Sequence, residues 1–529
     1  MSRPAKIHSL AYHRPMHRSR EFAQRPVVAL VAVGLLAAML RFYHLGTPPT
    51  HAFDEAYYPK AGCLFVGYPR RACDVTSDDE KYWADLYNDV GSWVHPPLGK
   101  WAIGLGELAF GPDAFGWRFA GALAGTLTVV LIAAIAQLLF RSVVWTYVSG
   151  LLLATEHLNF VQSRTGMLDI FLAFWVVLGF LLLLLDRRWI ERRTPRGIEA
   201  GPAPADHELP LGVGAGITAA TVVRRAPTEV ARRAVPSPFV RPWRLAAGVT
   251  LGAAIATKWS GVTAILAAVI LSLAWELTRR KSVGVRHPLA RAIQQESLSV
   301  VVSFVVVPAV VYVASWAGYF VWFGFDLGAW AEMQGAMFSY HEHLQTLNDK
   351  GRPIHPYLSR AWQWILMARP VVYFYKEDAG LRREIIAMGN PVVFWTSVVA
   401  LPYLAIAWRR SRDWVAGFIL VAVLAQYVPW FFISRPQFLF YMTPITPFLV
   451  LAVVYLLRGL ARVRVEPGEN DEAERAASPW LPVAVGVVLL SVAAFAWFWP
   501  VLTAGMLSSD AWRLRIWFDG EPWSAFNWV

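Results

Sequence analysis

Apolar runs separated by short polar interruptions occupy most of the chain. They fall at 26–43, 118–140, 143–158, 168–185, 243–257, 259–276, 298–318, 391–408, 414–432, 438–457 and 480–502. A helix needs roughly 20 residues to cross about 30 Å of hydrocarbon, and these runs approach or exceed that length. The pattern predicts an all-α polytopic membrane protein with about eleven transmembrane helices. The first run is bordered by Arg41 and lacks a small-residue cleavage site before the next polar loop, so it is expected to remain as an anchor.

The segments between the runs differ in kind. Two large loops, 44–117 and 319–390, are rich in Trp and Tyr, and 99–110 has the amphipathic pattern of a helix lying at the membrane surface. Segment 187–242 holds Pro, Gly, Ala and ten Arg and reads as a flexible linker, while 465–478 is acidic and reads as a solvated loop. The organisation expected is a basic N-terminus at 1–25, a transmembrane body at 26–457, and a further loop, last span and C-terminal segment at 458–529.

Composition agrees. Of 529 residues, 56% are hydrophobic and 16% charged, against roughly 25% charged in a soluble domain, which excludes disordered and fibrous classes and disfavours a soluble enzyme. A net charge of +12 would suggest a nucleic-acid partner in a soluble chain. In a membrane protein, position matters more than the sum. With a cytoplasmic N-terminus, 29 Lys and Arg lie in inside segments and 18 in the longer outside segments. The expected topology in the cell membrane therefore has an inside start, both large loops outside, and no nucleic-acid partner.

Polar residues gather at the outer ends of the spans, which places any chemistry at the outer membrane face. Asp54 and Glu55 are adjacent acids whose side chains point in different directions on a loop, so one can take a proton while the other orients a neighbour. In His95-Pro96-Pro97-Leu98-Gly99-Lys100 two prolines fix a turn with a His and a Lys on either side. Arg118, Arg164, Lys258 and Arg435 are isolated cations at outer span ends, suited together to a phosphate-bearing lipid; Asp169, five residues after Arg164, is expected to orient it. The second loop offers His355-Pro356-Tyr357, Arg369-Pro370-Val371-Val372-Tyr373-Phe374-Tyr375 and Gly389-Asn390-Pro391. Plain alternatives stand beside each: solvated acids, a proline helix start with a snorkelling Lys100, snorkelling or salt-bridged cations, and an interfacial aromatic belt. Cys63 and Cys73, the chain's two cysteines, share the first loop, where oxidising conditions favour a disulfide over two free buried thiols.

Taken in order with Ser434-Arg435-Pro436-Gln437-Phe438-Leu439-Phe440-Tyr441, these segments resemble the protein O-mannosyltransferase family of membrane glycosyltransferases with a GT-C fold. The resemblance runs from the first span to about residue 457. It implies inverting transfer of mannose from a lipid monophosphate to Ser or Thr hydroxyls of secreted or membrane proteins, with no required metal. Asp54 is then similar to the catalytic base and Glu55 to the neighbouring acid. Arg118, Arg164, Lys258 and Arg435 would form the phosphate cradle, with Arg369 and His95 as further candidates, and Lys100, Asp169, His355, Tyr357 and Asn390 in support. The loop 319–390 is too short for the β-trefoil module of eukaryotic members. Together with the Arg-rich insert, that implies an actinobacterial type of member using polyprenyl-phosphate-mannose; the secretion translocon is a candidate partner that the sequence itself does not specify. The rivals are a GT-C transferase of aminoarabinose or arabinose to a glycolipid and a lipid-sugar transporter.

Overall fold

The computed structural model describes residues 25–76, 94–194, 237–348, 353–462, 464–466, 474–476, 478–520 and 524–528. The N-terminal stretch 1–24, most of the expected linker (195–236) and much of the acidic stretch 465–478 lie outside the described residues.

Every apolar run becomes helix. The helices are Pro26–Phe42, Ala114–Phe140, Val143–Ala154, Asp169–Arg193, Pro242–Thr257, Trp259–Ser282, Pro288–Ser315, Pro391–Ser411, Trp414–Phe432, Thr446–Leu460 and Leu481–Leu502. Seven of them are long and apolar enough to cross a membrane; Pro26–Phe42, Val143–Ala154 and Thr446–Leu460 are shorter apolar helices, and Pro242–Thr257 carries Arg244. The eleven runs thus give eleven helices, of which length alone supports seven as full crossings among the described residues. Local chemistry sets the helix ends. Asp113 accepts from the N–H groups of Phe115 and Gly116 at 2.9 and 3.0 Å, and Asp413 accepts from Val415 at 2.8 Å, capping the orphan donors of the first turn. Arg192, Arg193, Arg279, Arg280, Lys281, Arg409 and Arg410 occupy last turns, where a cation meets the negative end of the helix dipole.

Pro242–Thr257 packs between Asp169–Arg193 and the Pro288–Ser315 helix, which is interrupted by a π turn at Val302–Val306. A side chain at Gly248 would collide with the Ser303 carbonyl and one at Gly252 with the Pro308 backbone, so this small-residue pair lets two backbones approach closely. At the Arg-rich end, Asp186, Arg241, Arg244, Glu276, Arg280 and Glu296 form a buried network. Arg241 bridges Asp186 at 2.6 Å and Glu296 at 3.2 Å, and Arg244 meets Glu296 at 2.9 Å. Several arginines counted as loop charges are therefore internal fasteners between helices.

At the opposite end, the first loop contributes the 3-10 turn Phe53–Ala56 and helices Tyr58–Phe65 and Leu98–Phe110; the last is the amphipathic segment expected at the surface. The structure joins Cys63 to Cys73, with Cα atoms 5.6 Å apart, so alkylation of unreduced protein is expected to leave both sulfurs unmodified and reduction to expose two sites, read by mass. The all-α expectation needs a correction: β1 (Val371–Asp378), β2 (Leu381–Ala387) and β3 (Leu507–Ser508) form a three-stranded antiparallel sheet in order β1-β2-β3. Its hairpin turns at Ala379 and Gly380, both with positive φ (49° and 77°), the pair of left-handed residues that matches strand twist in a two-residue loop. Val371–Tyr375, read as an interfacial aromatic belt, is a strand because its β-branched and aromatic residues fit a half-buried pleated surface.

Candidate active site

The first loop is tied down by two arginines expected to hold phosphate. Arg164 donates from Nη1 to the carbonyls of Leu40, Arg41 and Tyr43 at 3.3, 2.7 and 2.6 Å, and from Nη2 to that of His44 at 3.2 Å. It caps the C-terminal end of Pro26–Phe42, whose last carbonyls have no helical partner. Arg118 spends all five donors inside the protein: Nε and Nη2 on the two oxygens of Glu55 at 2.7 Å each, and the remainder on the carbonyls of Leu45, Pro48 and Thr50. Both Arg118 and Glu55 are fully buried. Neither arginine is free to grip a phosphate, and the isolated-cation reading at these positions is replaced by cages of backbone carbonyls.

Glu55 is equally saturated, since it also accepts from the N–H of Ala52 at 2.8 Å and of Gly166 at 2.7 Å. Its neighbour Asp54 points the other way and stays partly exposed, accepting from the Tyr58 hydroxyl at 3.3 Å. The adjacent acids therefore divide as expected of a loop pair: one fastens the turn and the other faces the site. Phe53 holds the turn in place by stacking on Tyr373 with ring centroids 4.7 Å apart and by edge contacts to Phe440 and His355. Burial pushes the Asp54 carboxyl up to about 6, with Asp169 adding to the rise and Lys258 and the Tyr58 bond opposing it.

Lys258 donates to both oxygens of Asp169 at 3.0 Å and lies 4.9 Å from the Tyr441 ring centroid and 5.6 Å from that of Phe440. Asp169 was expected to orient Arg164; it holds Lys258 instead. A cavity beside this pair is walled by Asp169, Gln426, Trp430 and Tyr441. Arg435, partly exposed, donates to His341 Nδ1 at 2.7 Å, and His341 Nε2 meets the Val94 carbonyl at 2.8 Å. That arrangement places the ring proton on Nε2. The His341 ring stacks on His95 at 5.3 Å. Burial together with Arg435 and Lys258 lowers His341 to about 4, and burial with the surrounding cations holds His95 well below its ordinary value, so both imidazoles are neutral. Lys100 donates to the His95 carbonyl at 2.9 Å, which fixes the loop that presents the ring.

The remaining candidates support the frame. Arg369 donates to the carbonyls of Ser524 and Pro356 at 3.0 and 2.6 Å, while Asn390 caps Pro391–Ser411 through Val392 N–H at 3.1 Å and donates to the Thr155 and Ser491 carbonyls. His355 contacts the rings of Phe53 and Phe438 and takes the Tyr357 N–H at 3.2 Å. His341 was missed by sequence reasoning; in Tyr340-His341-Glu342-His343, at the end of a helix, it looks like an ordinary surface residue. A cleft of about 710 Å³ opens next to Arg435 and shares Trp430 with the cavity beside Lys258. Among the described residues no group of three His, Cys, Asp or Glu converges to hold a metal ion.

Residues 327–521 match the family model "C-terminal four TMM region of protein-O-mannosyltransferase", and residues 31–195 match "Dolichyl-phosphate-mannose-protein mannosyltransferase". The chain is 31% identical to the polyprenol-phosphate-mannose--protein mannosyltransferase of Mycolicibacterium smegmatis (strain ATCC 700084 / mc(2)155), over 95% of this chain and 93% of that one. It is 31% identical to that of Mycobacterium tuberculosis (strain ATCC 25618 / H37Rv), over 97% and 94%. In fold it is similar to the S. cerevisiae protein O-mannosyltransferase Pmt1-Pmt2 complex bound to the sugar donor, with a TM-score of 0.65 at 12% identity, covering 95% of this chain and 94% of that one.

Proposed function

The chain belongs to the protein O-mannosyltransferase family, and from that premise we propose that it transfers mannose from a polyprenyl-phosphate-mannose donor to Ser or Thr hydroxyls of polypeptides at the outer face of the cell membrane. The observation that carries the reading is the division of labour in the first loop: Glu55 is locked to Arg118, which leaves Asp54 as the carboxylate presented to the site. A hydroxyl is a poor nucleophile. Asp54 takes its proton as the oxygen attacks the anomeric carbon; the bond from that carbon to the phosphate oxygen breaks, the electron pair leaves with the polyprenyl monophosphate, and the configuration inverts. A leaving phosphate needs its charge balanced more than it needs a proton. Arg435, whose guanidinium donates to a neutral imidazole, lies near the Trp430 and Tyr441 rings and stays partly exposed, is the cation best placed for that role, with Lys258 beside it.

The polypeptide acceptor fits the 710 Å³ cleft next to Arg435, where a chain emerging from the secretion translocon could reach the site. The excess of Lys and Arg in the segments read from the sequence as inside, 29 against 18, supports a cytoplasmic N-terminus and an extracytoplasmic Asp54. The test is the fate of the sugar. Membranes supplied with labelled polyprenyl-phosphate-mannose and a Ser/Thr peptide are expected to put label on peptide; label that partitions into glycolipid would favour the GT-C glycolipid transferase instead.

Two further outcomes follow from the geometry. A base must be ionised to act, and the Asp54 carboxyl sits at about 6, so the rate should climb as pH rises through that value and level off above it, measured as initial velocity across pH 5 to 8. Arg435→Lys should raise the donor KM roughly tenfold with a smaller change in kcat, because a point charge replaces a bidentate fork. An unchanged donor KM would remove Arg435 from the phosphate site.

A further inference from the structure

A second site candidate lies at the Arg-rich end of the bundle. Arg118, near Asp54, and Arg141, at this end, are separated along one helix by 23 residues, roughly 34 Å at the helical rise. A cavity of about 150 Å³ opens there between the ends of Ala114–Phe140, Asp169–Arg193 and Trp414–Phe432 and adjoins a wider one of about 630 Å³; Leu138, Arg141, Arg188 and Glu191 line both.

The chemistry of the walls is split. The floor is aliphatic, from Leu138, Leu139, Leu184 and Val415. The mouth carries Arg141, Arg188 and Arg192, and Glu191 is the one acid among the described lining residues. That acid is already engaged, accepting from Arg187 Nε at 2.7 Å. The Arg187 guanidinium carbon also lies over the Trp414 ring, 3.5 Å from its centroid. Its Nη1 is shut off from solvent and has no hydrogen-bond partner. Packed against Trp414 and 5.3 Å from the Trp275 ring centroid, the Arg187 guanidinium is part of the pocket wall, which leaves Arg141, Arg188 and Arg192 at the mouth to meet an anion. Arg141 adds an independent observation: it ends its helix at φ 51°, a left-handed position where Gly or Asn is preferred, so the large basic side chain is kept there against backbone preference.

We propose that this pocket binds the phosphate of an anionic glycerophospholipid in the leaflet opposite Asp54, with the rim arginines Arg141, Arg188 and Arg192 taking the headgroup and the leucine floor taking the start of an acyl chain. The amphipathic lining selects a lipid over a free anion, and the surplus of arginines selects an anionic headgroup over a zwitterionic one.

The test uses full-length protein, purified in detergent and delipidated, with bound lipid counted by native mass spectrometry and thermal unfolding followed during titration. Phosphatidylglycerol is expected to be retained and to raise the unfolding temperature at concentrations where phosphatidylcholine and inorganic phosphate do not. The double variant R141Q/R192Q leaves the Arg187–Glu191–Trp414 stack intact and should bind phosphatidylglycerol roughly tenfold or more weakly, while transferring mannose at the wild-type rate. Equal stabilisation by phosphatidylcholine, a full effect from inorganic phosphate alone, or a double variant that keeps its phosphatidylglycerol would each overturn the lipid assignment.

Discussion

Replacing Asp54 with Asn should cut mannosyl transfer by about 10²- to 10⁴-fold, the range a positioned general base contributes, and leave the fold intact. The side chain is partly exposed and accepts a hydrogen bond from the Tyr58 hydroxyl at 3.3 Å, which an amide oxygen can also accept. The loss should therefore appear in kcat, with the donor KM and the unfolding temperature close to wild type. The residual rate should also lose the dependence on pH near 6 that Asp54 confers. Transfer at the wild-type rate would remove Asp54 from the base role and leave the site without an acid facing the Lys258–Asp169 pair from the first loop.

The positions that were legible in the sequence and those that were not differ in a physical way. Helices were legible because the period and length of apolar runs are local properties. The opposed directions of Asp54 and Glu55 were legible too, since adjacent side chains on a loop diverge, while the base role given to Asp54 came from the ordered set of motifs and not from this dipeptide. Arg118 and Arg164 were assigned to the wrong partners because what a guanidinium touches is decided by the fold: the carbonyls that hold Arg164 lie more than 100 residues earlier in the chain. Asp169 went to Lys258 rather than to nearby Arg164 for the same reason. The strand Val371–Asp378 was obscured by aromatic composition that suits a membrane interface equally well, although its partner β2 is the next segment of the chain. His341 carries no motif at all. It is drawn into the site by Arg435, 94 residues away.

The change Glu55→Gln should damage the protein by another route than its neighbour's, although the two acids are adjacent. Glu55 is fully buried and accepts four hydrogen bonds, two from Arg118 and one each from the backbone of Ala52 and Gly166. Neutralising it leaves the Arg118 charge inside the protein without its counter-ion, a loss on the order of 3–5 kcal/mol for a broken buried pair. Arg118 also gathers the carbonyls of Leu45, Pro48 and Thr50, so the whole approach to the Phe53–Ala56 turn should loosen. The expected result is a markedly lower unfolding temperature in detergent and loss of transfer together, whereas Asp54→Asn loses transfer alone. A double change of Glu55 and Arg118 to Met removes the stranded charge but not the orphaned carbonyls and N–H groups, so it should recover only part of the stability. If Glu55→Gln lowered kcat with no change in unfolding temperature, Glu55 would belong to the reacting groups and the fastening role argued from its hydrogen bonds would fail.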